Sequence, residues 1–370
     1  MWIRSLNHII ISILLLGVIF VNINGCSTDH DTSHDPSVFV VAVGERGSII
    51  HCDSTRCEKI ESPIGSGLEN SFSDVVVLSK ECAFIVGKNG TILRWDGTAW
   101  KQEEVPLSEN LIAIDAISPD FVYAVGEGGV ILHFDGVSWS EVYSPFKDLH
   151  VDEGFALHDI DLLDRNSGIT VGGPMTGERH GALGFFDGAM WTLDRFDQDC
   201  VYTSVGMASK EYAATGGYND ANSYAEEASA NLIEWNGDTW TRVEGLPWRR
   251  FVTGISFASQ DMGFAVTDHD GGPVIAKYNN HSWTTIEHDI TRALEDVHMI
   301  SENLGFAVGT RESVHIDSDL VYDAAAYYYI IKWDGKTWSQ MDTTNIDQVV
   351  TEDGVLIGAT NLYGVSGVGY

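Results

Sequence analysis

Arginines and aromatic residues gather in the longest insertions of this sequence. Arg179 and His180 share one, Tyr218 and Tyr224 a second, Arg311 and Tyr322 a third, and Trp248, Arg249, Arg250 and Arg292 fall in connections beside them. The whole chain has only 21 Lys plus Arg, so this is a concentration. Arg with Tyr and Trp supplies planar donors and stiff apolar surface, the combination that anchors protein interfaces and recognises anionic groups. The expected ligand is a protein segment or an acidic glycan. The competing reading pairs these arginines with neighbouring carboxylates at Asp220, Glu226, Glu227, Asp317 and Asp319.

Calcium is the cofactor the sequence leaves open. Asp268-His269-Asp270-Gly271-Gly272 and Asp317-Ser318-Asp319 place oxygen ligands at close spacing, though neither completes a D-x-[DN]-x-[DN]-G loop with its distant Glu. Otherwise no cofactor is expected. The chain has no G-x-S-x-G, H-E-x-x-H, G-x-x-x-x-G-K or G-x-G-x-x-G, so the expectation is a non-catalytic binding or scaffolding module. The alternatives are a glycoside-processing enzyme of sialidase-like chemistry, with Glu178 or Glu226 beside the arginines and tyrosines, and an assembly factor for an envelope complex.

The N-terminus carries export chemistry. Arg4 precedes a mostly apolar run from Ile9 to Val21, the length of a signal-peptide core and short for a membrane span. Its end, Ile23-Asn24-Gly25-Cys26, resembles a bacterial lipobox, with Asn24 an atypical member. The resemblance implies cleavage after residue 25, diacylglycerol on Cys26 and, with Ser27 following, anchoring in the outer membrane of a Gram-negative cell. Residues 26–37 have no large apolar side chain and read as a tether; His30 and His34 within it read as solvated.

One pattern recurs through the rest and supplies the elements that must position the loops. FIVGKNGTILRWDGTAW (84–100) reappears as YAVGEGGVILHFDGVSW (123–139). With insertions it returns as GITVGG…ALGFFDGAMW, YAATGG…NLIEWNGDTW, GFAVTDHDGGPVIAKYNNHSW and GFAVG…YYIIKWDGKTW, ending at Trp191, Trp240, Trp283 and Trp338. Each copy holds an A-V-G strand, a second apolar strand, an Asp-Gly or Asn-Gly hairpin turn and a Trp that opens a third strand. A further strand lies just upstream of each, as in FSDVVVLS, LIAIDAIS, LHDIDLLD and EDVHMIS. Four antiparallel strands per repeat make a propeller blade. The repeated Trp, once per blade at a fixed place, reads as packing between hairpins, and the repeated Asp as turn chemistry.

An aberrant first copy, VVAVGERGSIIHCDSTRC (40–57), puts Cys52 and Cys57 where the others carry the aromatic and the Trp. Those positions flank one hairpin turn, which predicts a Cys52–Cys57 disulfide. Cys82 and Cys200 read as buried small hydrophobes. The fold expected is all-β: a seven-bladed propeller of four-stranded antiparallel blades, six or eight remaining open. IDQVVTED (346–353) is taken as the inner strand that completes the first blade and closes the ring, leaving 354–370 unassigned or the start of an eighth blade. The whole of 38–370 is expected as one domain and a monomer.

The A-V-G-x-x-G-x-I-L-x-x-D-G-x-x-W repeat resembles those of bacterial lipoprotein propellers of the BNR/Kelch-like kind. It is more distantly similar to the sialidase Asp-box, although Asp96-Gly97, Asp135-Gly136 and Asp334-Gly335 are one residue shorter and have no leading Ser. Photosystem assembly factors of the Ycf48 type share the G-x-x-G and D-G…W rhythm, but carry T-x-D-G-G where this chain has Arg94-Trp95-Asp96-Gly97. These resemblances imply the fold. Function is expected where blades differ: blades four to seven carry long loops between their second and third strands, on the face shared with the blade-to-blade connections. A net charge of −33 repels phosphate backbones, and nucleic acid is excluded as a partner.

Overall fold

By compactness the chain divides into residues 1–33 and residues 34–370, and the fold lies within the second unit. The computed structural model describes residues 38–149, 154–174, 181–197, 200–219, 229–246, 251–268, 273–309, 328–343, 346, 349–350, 356–357 and 361–369. Among them are seven four-stranded antiparallel sheets and no α-helix. The chain is a seven-bladed β-propeller.

In blades two to seven the chain runs from inner to outer strand. Blade two is Phe72–Ser79, Cys82–Gly87, Ile92–Trp95 and Trp100–Gln102; blade three is Leu111–Ser118, Phe121–Gly126, Ile131–Phe134 and Trp139–Glu141. Second strands such as CAFIVG and FVYAVG are buried at every residue, because they are covered on both faces by neighbouring blades. A continuous apolar run is the sequence such a strand needs. The outer strands are three residues long in most blades and expose the two residues after the Trp.

Five of the six hairpin turns before a Trp share one construction, the sixth, residues 279–282 in blade six, instead placing Asn280 and His281 at positive φ. Asp96 Oδ1 accepts the N–H groups of Thr98 and Ala99, each at 2.9 Å, and Gly97 sits at φ 91°. Asp135, Asp187, Asn236 and Asp334 repeat the pair of bonds. The turn is therefore a four-residue loop in which the carboxylate satisfies two backbone donors and the glycine takes a backbone region closed to other residues.

The cross-strand pair flanking that turn is the wedge between blades. Trp95 faces Trp100, Phe134 faces Trp139, Phe186 faces Trp191, Trp235 faces Trp240, Tyr278 faces Trp283 and Trp333 faces Trp338. Each pair packs on an aromatic of the preceding blade: Phe134 and Trp139 on Phe84, Phe186 and Trp191 on Tyr123, Trp333 and Trp338 on Phe264. The indoles are inter-blade packing, as their regular recurrence requires. In blade one Cys52 faces Cys57 at this same register and the two form the disulfide, packed with Phe306, Val308 and Ile330 of blade seven. Cys82 and Cys200 are buried free thiols.

The strand that closes the ring is not the one expected. Leu362–Gly369 pairs with Val38–Gly44, giving blade one the order Leu362–Gly369, Val38–Gly44, Ser48–Cys52, Cys57–Ile60. Within 346–353, Val349–Val350 instead pairs with Leu356–Ile357 in a separate two-stranded ladder. Residues 362–369, LYGVSGVG, look like a turn because glycines weaken a strand. Here the blades approach so closely that a Cβ on Gly364 would stand 2.8 Å from Asp74 Cα. The glycine is a packing requirement, and no eighth blade begins there.

Candidate functional site

The seven inner strands line a central channel that holds a cavity of about 530 Å³. Every inner strand shifts register within its first few residues: between Phe72 and Asp74, Leu111 and Ala113, Leu157 and Asp159, Tyr202 and Ser204, Val252 and Gly254, Leu294 and Asp296, and opposite Val43 and Gly44 in the closing strand. A bulge inserts one residue and re-aims the side chains around it. The inserted residues are Ser73, Ile112, His158, Thr203, Thr253, Glu295 and Tyr363, all lining the cavity.

Polar side chains at and just beyond the bulges join each blade to the next. Asp74 Oδ2 accepts Ile114 N–H at 2.9 Å, Asp115 accepts Leu162 N–H at 2.6 Å, and Asp159 and Asp161 accept Val205 and Met207 N–H at 2.7 Å. Thr203 Oγ1 donates to Val252 O and Thr253 Oγ1 to Leu294 O. Ser256 Oγ accepts Met299 N–H, Asp296 accepts Val365 N–H at 2.9 Å, and Ser366 Oγ in the closing strand accepts Val77 N–H. All seven junctions are spanned, and the circuit closes on blade two. Asp74, Asp159 and Asp296 each give their other oxygen to the N–H of the residue that follows them, fixing the carboxylate plane.

Enclosure in the channel wall dominates the electrostatics. It pushes Asp159 up to about 7, Asp161 to about 6 and Asp296 to about 8, with the Asp159 charge adding to the effect on Asp296. Asp74 and Asp115 are raised for the same reason, helped by the charges of Asp296 and Asp161 respectively. Glu295 rises to about 7 through desolvation and the charge of Asp268. Desolvation works oppositely on imidazoles, lowering His158 to about 4 and His298 below its usual value.

The sequence reading overlooked these carboxyls by taking the inner strands as apolar. Their signal is nonetheless present in LHDIDLLD, where Asp159 and Asp161 stand on alternate residues, the period that puts them on one face of a strand.

Of the ligand and calcium candidates read from the sequence, three are described. Tyr218 is the penultimate residue of the second strand of blade five and meets Phe251 of blade six edge-to-face, ring centroids 4.3 Å apart. Arg292 lies in the connection from blade six to blade seven. Its guanidinium stands 5.0 Å from the centroid of Tyr329, and its Nη1 has no hydrogen-bond partner among the described residues. Tyr218 and Arg292 thus sit on the loop-bearing face, each at a seam between blades. Asp268 ends the second strand of blade six, half-buried near Glu295. Arg179, His180, Tyr224, Trp248, Arg249, Arg250, Arg311 and Tyr322, the calcium candidates Asp270, Asp317 and Asp319, and Cys26 lie outside the described residues. Among the described residues no group of three or more His, Cys, Asp or Glu is arranged to hold a metal ion.

No protein-family model and no curated protein sequence matches the chain. Solved structures do. One described as YCF48 bound to D1 peptide superposes with a TM-score of 0.54 at 16% identity, covering 87% of this chain and 96% of that one. The WD40 repeats of RRP9 give 0.55 at 11% identity, over 73% and 83% of the two chains; U3-55K gives 0.53 at 11%, over 73% and 84%. At these identities what is shared is the fold, and by that measure the chain stands with the YCF48 and WD40 β-propellers.

Proposed function

We propose that this protein is a non-catalytic binding module of the cell envelope, anchored through a lipid on Cys26, that takes a protein segment on the loop face of blades four to seven. The observation that carries the reading is a division of roles within the ring. The channel aspartates are spent on joining blades, whereas Arg292 on the loop-bearing side is held over Tyr329 with its buried Nη1 unused among the described residues. A guanidinium stacked on an aromatic ring is already oriented for a carboxylate. The proposed segment therefore carries acidic or C-terminal carboxylate groups. A propeller of the same fold is known in complex with a peptide, which supports a peptide over a glycan.

Tyr218, Tyr224, Trp248, Arg249, Arg250, Arg311, Tyr322, Arg179 and His180 complete the proposed surface. Calcium at Asp268 with Asp270, or at Asp317 with Asp319, is no part of it. The test is capture from an immobilised library of acidic peptides by the mature chain. Replacing Arg292 with Ala should weaken the best binders roughly tenfold or more, as loss of a charge-assisted bond does. The Arg249→Ala, Arg250→Ala pair should do the same. Unchanged capture by the folded variants, or capture of acidic polysaccharide alone, contradicts the proposal.

A further inference from the structure

Six carboxyls line the channel and no Lys or Arg is among the residues lining it. The groups facing the lumen can be taken strand by strand. Blade two presents Asp74, blade three Asp115, and blade four His158, Asp159 and Asp161. Blades five and six present only hydroxyls, at Thr203, Thr253 and Ser256; blade seven presents Glu295, Asp296 and His298, and the closing strand Tyr363. Asp268 acts on Glu295 from outside the lining, and Glu45 accepts the Tyr363 hydroxyl at 2.7 Å. His298 is tied to Gly367 O at 3.0 Å. Like charges enclosed together without a counter-cation cannot all ionise.

We propose that the channel wall is a proton-held clasp, in which these carboxyls share protons at neutral pH and the seams they fasten tighten in mild acid and slacken in mild alkali. Five of the six, the aspartates, bond directly to the backbone of the next blade. Proton occupancy is thereby coupled to inter-blade contact around most of the ring. Charge repulsion between Asp74 and Asp296, which flank the closing strand, acts on the seams that seal it.

The direction follows from linkage. A carboxyl whose folded value is raised contributes stability that is full below the unfolded value near 4 and is lost as pH climbs through the folded value. For Asp161, Glu295, Asp159 and Asp296 that loss runs up to about 6, 7, 7 and 8. His158 and His298, held neutral as His51, His133 and His288 are elsewhere, act oppositely, an effect half spent at their unfolded value of 6.5 and gone about one pH unit above it. From there to pH 8.5 the carboxyls set the slope, joined near the upper end by the buried Cys82 thiol, whose raised value acts in the same direction.

The test is the melting temperature of the full chain at pH 6.5 and 8.5 and fixed ionic strength, read by near-ultraviolet circular dichroism. The clasp predicts a fall of about 5 °C or more across that interval, reduced by about a third in Asp296→Asn, whose amide removes the charge and keeps one of the two acceptors. If that variant does not fold, carboxyl ¹³C resonances of aspartate-labelled wild type decide: at least two should titrate with midpoints above about pH 6. A melting temperature that is flat or rises over the interval overturns the proposal. So does a set of aspartate resonances that all titrate below about pH 5. A melting temperature insensitive to pH but raised by added sodium or calcium overturns it too, by showing that cations rather than protons neutralise the wall.

Discussion

The indole of Trp139 meets Phe84 of the preceding blade edge-on, ring centroids 6.1 Å apart, and tilts against Phe134 of its own blade at 5.2 Å. It is a keystone of one seam. Trp139→Ala should cost about 3–5 kcal/mol, the penalty for emptying a large aromatic site in a packed interior, measured by urea denaturation with an unchanged slope. Val137, two residues earlier, is 86% exposed, and Val137→Thr should move stability by less than about 0.5 kcal/mol. The Cys52–Cys57 bridge takes the place of such a pair at the seam between blades one and seven. Replacing both cysteines by serine should cost about 2 kcal/mol, the value a loop this short gives in the chain-entropy account; a loss below about 0.5 kcal/mol would mean the bridge adds nothing to closure. These residues were legible in advance because each recurs at a fixed place in a repeat. The channel aspartates were harder to see, because each repeat puts its polar residue at one of two alternate positions. Asp115 is two residues further along its strand than Asp74 is along its own, yet both reach the next blade.

Strands two to four of every blade could be read from the sequence, since the A-V-G run, the Asp-Gly turn and the Trp are local signals. The closing strand could not. Its partner lies more than 300 residues away, and Gly364 answers to the backbone of blade two rather than to any local preference. IDQVVTED imitates an inner strand better than LYGVSGVG does, and only the close approach at Gly364 settles which is used. Deleting residues 362–370 should leave Val38–Gly44 with an unpaired edge and remove the Ser366 and Val365 bonds to the flanking blades. The truncated chain should aggregate or elute as an expanded species in size-exclusion chromatography and lose its near-ultraviolet signal. A compact, cooperatively melting truncation would show that closure rests elsewhere.

Across the molecule, sequence and structure divide the ring into a frame and a face. Blades two and three are compact, and the long insertions fall between second and third strands of blades four to seven. The net charge of −33 gives the chain a repulsive field for nucleic acid, so the arginines gathered in and beside the long insertions of the sequence are local exceptions to it. Where the proposed face lies follows from repeat bookkeeping alone; what it binds does not, because a ligand is chosen by three-dimensional juxtaposition of loops that share no pattern. The proposed binding face is tested most directly by placing a photo-crosslinking amino acid in turn at Tyr218 and at residue 292 on the loop face, and at Thr98 and Lys336 in the hairpin turns of the opposite face, in cells that express the protein naturally. The account predicts a discrete protein adduct from positions 218 and 292 and none from 98 and 336. Adducts from the hairpin turns alone, or equally from all four positions, would contradict it.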